Sequence, residues 1–233
     1  MDSLIQTFEE RLQEIDAYLT LLDAFERQLR EGPPKIGGET ITAQQQKILY
    51  SSVYLQLYNL VEATANWCID AVSVASASAR WKPIDLIAEV RREWVRVTAR
   101  THSDLNVENR LDTTVAFCDR VLQISHLSNW SIEKGGGGNW DDLALAAITA
   151  RLGFELFVSQ PVLTGIKKHI REERGALVLV RFLRNQLAHG SLSFAECGDG
   201  VTVADLRDIK DRTALYLREV VAAFRDYIDG YNF

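Results

Sequence analysis

Leu4, Phe8, Leu12, Ile15, Leu19, Leu22, Phe25 and Leu29 recur at intervals of three or four residues. That period places them on one stripe of an α-helix and excludes a strand, whose faces alternate every two residues. The stretch predicts a long first helix, stopped by Gly32-Pro33-Pro34. Thr42, with Gln45 three residues on, is a capping box that opens a second helix running to about residue 75. Leu49, Val53, Leu57, Leu60, Val61 and Trp67 are too many for one narrow stripe, so this helix is expected to be central and touched on more than one side. Glu62 falls beside Val61 on it, and a buried carboxylate needs a partner. A plain salt bridge or an exposed position is the alternative to a role in a site.

The same grammar continues. Pro83 suits the first turn of a third helix, ending near Thr98. Leu111, Val115, Val121, Leu122 and Ile124 mark a fourth. Residues 126–138 break the pattern and close in four glycines, a flexible loop without the Lys-Ser/Thr pair of a phosphate-binding loop. Asn139 is placed to cap the next helix, with Asp141 and Asp142 in its first turn and Gly153 at its end. Pro161 starts a short basic helix to about Arg171, and Ala176, Leu177, Leu179, Val180, Leu183 and Leu187 define another. Thr202 with Asp205 caps a last helix whose stripe is Leu206, Ile209, Leu217, Val220, Phe224 and Ile228. No segment alternates with period two for long; only 192–194 and 200–203 could pair. The expectation is an all-α, up-and-down bundle with additional helices and at most a small β-hairpin after residue 190. It forms one domain over residues 1–233, with the helix in 1–32 a candidate extension.

Composition narrows the function. The 233 residues carry a net charge of −6, whereas a protein that binds nucleic acid in bulk is usually basic, so any such site must be local. Lys167, Lys168, Arg171, Arg174, Arg181 and Arg184, against Glu172 and Glu173, give a local balance of +4; a solvated helix face is the bland reading. Cys68, Cys118 and Cys197 are scattered and odd in number, without metal-ligand spacing, which fits reduced thiols, a cytoplasmic location and no metal or other cofactor. The start lacks a basic, apolar leader, and the apolar stretches 71–79 and 143–150 are too short to span a bilayer, so no membrane is expected. Nucleophile-elbow, zinc-protease and dinucleotide fingerprints are missing. Trp67, Trp81, Trp94, Trp130 and Trp140 could stack bases, with Trp67 better suited to the core.

One segment concentrates chemistry: Arg184-Asn185-Gln186-Leu187-Ala188-His189-Gly190. Five residues of helix separate Arg184 from His189 by about 140°, so a continuing helix would keep them on different faces. Gly190 suits a left-handed C-terminal cap, which puts His189 at the helix end, where the ring can swing. A helix C-terminus favours a cation and Arg184 opposes one, a setting suited to a general acid or base.

That motif, followed by Ser193-Phe194, Glu196, Gly198 and a capped final helix, resembles the HEPN superfamily, in its branch of RiboL-PSP and related bacterial conflict-system proteins. Tyr58-Asn59-Leu60-Val61-Glu62-Ala63-Thr64 and Gly138-Asn139-Trp140-Asp141 are similar in kind. The resemblance covers about residue 45 onward and finds no counterpart for the first helix. It implies a metal-independent endoribonuclease of toxin or antiviral defence type, a homodimer whose two motifs meet across a two-fold axis, with RNA as substrate and an antitoxin or other regulatory protein as a partner. It implies catalytic roles for Arg184, His189 and Asn185 and a supporting one for Glu62. Lys167, Lys168, Arg171, Arg174 and Arg181 would line the RNA cleft. Two other classes stand beside it: a non-catalytic HEPN module that binds RNA, a nucleotide or a protein, and a structural bundle in which the motif is incidental.

Overall fold

The structure is a computed structural model that describes residues 2–101, 103–122, 126–127, 130–135 and 139–230. Its elements are α1 (Asp2–Leu29), β1 (Lys35–Ile36), β2 (Glu39–Thr40), α2 (Ala43–Ser78), α3 (Ala88–Thr98), α4 (Val107–Leu122), α5 (Asp142–Arg151), α6 (Gln160–Lys167), α7 (Ala176–Ala188), α8 (Phe194–Cys197) and α9 (Val203–Asp229). The all-α expectation holds.

The axis of the molecule is α2, 36 residues long. α1, α7, α8 and α9 all pack on it. Val53, Leu57, Leu60, Val61, Cys68, Ile69 and Val72 are buried along it, which accounts for the excess of apolar residues over a single stripe. The Thr42–Gln45 capping box forms at its start, and it runs three residues beyond the expected end. The stripe of α1 is buried from Phe8 to Phe25 in the same core cluster. Three ion pairs join α1 to α9: Glu9–Arg218 at 2.8 Å, Asp16–Lys210 at 2.7 Å, and Asp23–Arg207.

Several expectations are corrected in detail. Among the described residues the antiparallel pair is β1–β2, between α1 and α2, turned by Gly37 and Gly38, both at positive φ as such a tight hairpin requires. Residues 192–194 and 200–203 do not pair. Ser193 and Glu196 form a capping box that opens α8, and Thr202 and Asp205 form another that opens α9, so both segments spend their polar groups on helix starts. The third helix begins at Ala88 rather than at Pro83, because Arg91 reaches back to the carbonyls of Pro83, Ile84 and Leu86 and holds that stretch as a loop. Asp141, not Asn139, caps α5, accepting from the Ala144 amide at 2.8 Å. α6 ends at Lys167, short of Arg171. Ile124, expected in α4, and Gly136, Gly137 and Gly138 of the glycine loop lie outside the described residues.

Candidate active site

The fold brings α2, α7 and the turn before α5 together around Arg184. α7 needs no side-chain cap: Gly175 precedes it with its Cα against Ile166 and Lys167, where a Cβ would stand 2.4 Å from the Ile166 carbonyl oxygen. Ala176, Leu177, Leu179, Val180, Leu183 and Leu187 face the core. The far end closes as the sequence indicates. His189 is the C-cap, Gly190 lies at φ +70°, its amide donates to the Leu187 carbonyl at 3.2 Å, and the Ser191 amide donates to the Gln186 carbonyl at 3.0 Å. These two bonds make a Schellman motif, which only a residue tolerant of left-handed backbone completes without strain.

That cap leaves His189 exposed, and among the described residues its ring makes no hydrogen bond or ion pair. Arg184 is held from four directions. Its guanidinium stacks 4.2 Å from the centre of the Tyr58 ring, lies 3.6 Å from a Glu62 carboxylate oxygen, and donates to Asn185 Oδ1 at 2.9 Å. Asn185 in turn donates from Nδ2 to Asn139 Oδ1 at 3.0 Å. Tyr58 and Glu62 are four residues apart on α2, so both project toward α7. The Glu62–Arg184 pair is about one-third exposed on each side, which limits it to roughly 1 kcal/mol or less; its value is geometric.

Asn139, Trp140 and Asp141 act as one clasp on this region. Asn139 holds Asn185, and Asp141 pairs with Arg181 at 2.5 Å while capping α5. The Tyr58 hydroxyl lies beside the Trp140 backbone. Burial raises the Tyr58 pKa, the Trp140 amide lowers it, Glu62 raises it, and Arg184 and Arg181 lower it. The phenol therefore stays protonated beneath the guanidinium. Tyr58 and the clasp were quoted in the sequence only for their resemblance. The signals for their contacts are the four-residue spacing to Glu62 and the acidic first turn at Asp141.

The expected basic cluster is divided. Arg171 donates to the Cys197 carbonyl at 3.2 Å, and Arg174 pairs with Glu172 and stacks 3.8 Å from the Phe182 ring centre. Arg181 is taken by Asp141. Lys167 and Lys168 are exposed and unpaired, but they stand by Gly175, at the end of α7 remote from His189. Trp67, expected in the core, is half-buried. Among the described residues no group of three or more His, Cys, Asp and Glu side chains is placed to hold a metal ion. No helix is long and apolar enough to cross a membrane, again among the described residues.

Fold and site thus define a helical bundle with an Arg–Asn pair and a terminal His on one internal helix. The chain belongs to the HEPN superfamily: the HEPN_MAE_28990-like HEPN family model matches residues 1–233, the first helix included. Membership points to a nuclease or other RNA-related role. No curated protein and no solved structure matches the chain.

Proposed function

We propose that this protein is a metal-independent endoribonuclease that acts as a homodimer, as a toxin or antiviral effector. The observation that carries the reading is the arrangement at the end of α7: Arg184 immobilised by Tyr58, Glu62 and Asn185, beside an exposed His189 whose ring is uncommitted. A fixed guanidinium offers a planar set of donors to a phosphate and keeps its charge. It stabilises the negative charge gained when the RNA 2′-hydroxyl attacks the adjacent phosphorus. The P–O5′ bond breaks, leaving a 2′,3′-cyclic phosphate and a 5′-hydroxyl. The attacking hydroxyl must lose a proton and the leaving oxygen must gain one.

One exposed imidazole serves two proton transfers poorly, and an isologous dimer supplies the second. In that arrangement His189 accepts the 2′-hydroxyl proton and His189 of the partner subunit protonates the leaving oxygen. Val178, Phe182, Asn185 and His189 recur at four, three and four residues along the part-exposed side of α7, a strip suited to meeting its own copy.

The test is purified protein on single-stranded RNA in excess EDTA, with product ends and oligomeric mass determined. Expected are cyclic-phosphate ends, a dimer, and losses of roughly 10²–10⁴ in rate for His189→Ala and for Arg184→Ala. Cleavage that persists in both variants refutes the assignment. RNA binding with no cleavage product supports the non-catalytic module instead.

A further inference from the structure

Two neighbouring cavities share a wall. The smaller, about 180 Å³, is lined by Asn139, Lys134, Gly135 and one side of α5, ending at Arg151. The larger, about 820 Å³, starts from Arg151 and extends along α3 past Arg96 and Arg92. Arg151 belongs to both, and Asn139 is the residue that holds Asn185. A groove therefore runs from the Arg184–His189 region along α5, whose ten residues span about 15 Å, to the exposed face of α3.

The chemistry of this groove is cationic. The larger cavity sets Arg91, Arg92, Arg96 and Arg151 against two carboxylates, Glu89 and Glu93. Glu93 is buried and already receives Arg151 through Nε at 3.2 Å and Nη2 at 2.5 Å, with Arg96 Nε at 3.3 Å. Two guanidinium groups on one carboxylate leave an excess positive charge beside the cavity. Arg151 makes no hydrogen bond through Nη1, which lies on the Gly135 side. Arg92 is exposed and makes no ion pair or hydrogen bond among the described residues; it stands one turn from Arg96 on the same face of α3. Lys134 and Arg151 stand in the smaller cavity with no carboxylate in its lining.

We infer that this groove binds the single-stranded RNA flanking the scissile phosphate, with Arg92, Arg96 and the free edge of Arg151 meeting backbone phosphates. It takes its ligand class from the ribonuclease reading. It replaces the Lys167–Arg181 stretch as the main phosphate track, since three of those five cations are spent inside the fold. A row of fixed guanidinium groups reads backbone charge rather than base identity, so the groove confers affinity and register, not sequence preference.

The test uses the full chain carrying His189→Ala, so that RNA is bound without being cut. Affinity for a fluorescein-labelled unstructured RNA is measured across a salt series, with folding checked by thermal melts. Arg92→Glu and Arg96→Glu together are expected to weaken binding about tenfold or more and to flatten the salt dependence by about 0.7 per lost phosphate contact. Lys167→Glu with Lys168→Glu should leave affinity within about twofold on the same basis. If Arg96→Glu disturbs the Glu93 cluster, Arg92→Glu alone decides, because Arg92 has no partner in the fold. Unchanged affinity and slope in the folded Arg92 variant, a loss confined to the Lys167/Lys168 variant, or no RNA binding by the parent overturns the groove. Groove-dependent binding by a protein that never cleaves RNA upholds the groove and refutes the catalytic assignment.

Discussion

Replacing Asp141 with alanine removes two interactions at once, and the structure separates their sizes. The carboxylate caps α5 by accepting from the Ala144 amide at 2.8 Å. Loss of such a cap costs about 1 kcal/mol. The same carboxylate, 4% exposed, pairs with Arg181 at 2.5 Å, and Arg181 is 33% exposed. A fully buried cation left alone would cost several kcal/mol. Arg181 can turn to water instead, so the lost pair should cost only about 1 kcal/mol more. Asp141→Ala is therefore expected to destabilise by about 2 kcal/mol, or roughly 4–8 °C in Tm for a chain of this size. Asp141→Ser keeps a capping oxygen and loses only the pair, so it should cost about half as much. Urea unfolding of the three proteins, followed by circular dichroism, measures the difference. Equal losses in the serine and alanine variants would refute the cap, and no loss in either would refute the clasp.

Asn139→Ala removes the acceptor of the Asn185 amide, so it should lower kcat by about tenfold or more with KM little changed, whereas Asn139→Asp keeps the acceptor and should recover much of the rate in steady-state assays. Gly190→Ala meets no atom within 4 Å but must hold φ near +70°, a cost of about 1 kcal/mol by thermal melt, with Gly190→Asn milder. Gly198→Ala should be much worse, since its Cβ would stand 2.0 Å from the Lys47 carbonyl oxygen; soluble yield and Tm report it. Burial pushes the Cys68 thiol up to about 12 and the Cys197 thiol up to about 11, so in the native protein a thiol reagent should label exposed Cys118 alone until denaturant is added. A raised folded value also sets the sign of a pH effect. The buried thiols contribute fully below about pH 9, and that contribution is lost as pH rises through the folded values, which alkaline unfolding measures.

Much of the helical frame was legible because its signals are local. The stripe of α1, the boxes at Thr42 and Thr202, and the glycine after His189 each act within a few residues. What misled lay in competition between local signals. Ser193 and Glu196 sit in a stretch that could have paired as a strand, and the capping box prevailed. Pro83 could have opened a helix, but Arg91 captured three carbonyls and delayed it to Ala88. At the site, Glu62 was legible as a carboxylate needing a partner, and Arg184 supplies it. The partners from the α5 turn were not, because Asn139 and Asn185 are 46 residues apart and nothing near either one announces the other. The +4 balance misdirected attention for a related reason: a charge count along the chain cannot show that Asp141, from another element, has taken Arg181.

The ion pairs between α1 and α9 bear on the order of events during synthesis. α9 packs against α1, α2 and α7, so both helices that carry the Arg184 cluster are backed by the last long segment to be made. Glu9 and Arg218 are separated by 209 residues, and no shorter length of chain can bring them together. While the C-terminus is still inside the ribosome, α7 has been translated but lacks its support, and Tyr58, Glu62 and Asn185 cannot yet grip the guanidinium firmly. The motif matures only after release, so the nascent chain is spared an assembled centre beside the RNA-rich machine that is building it.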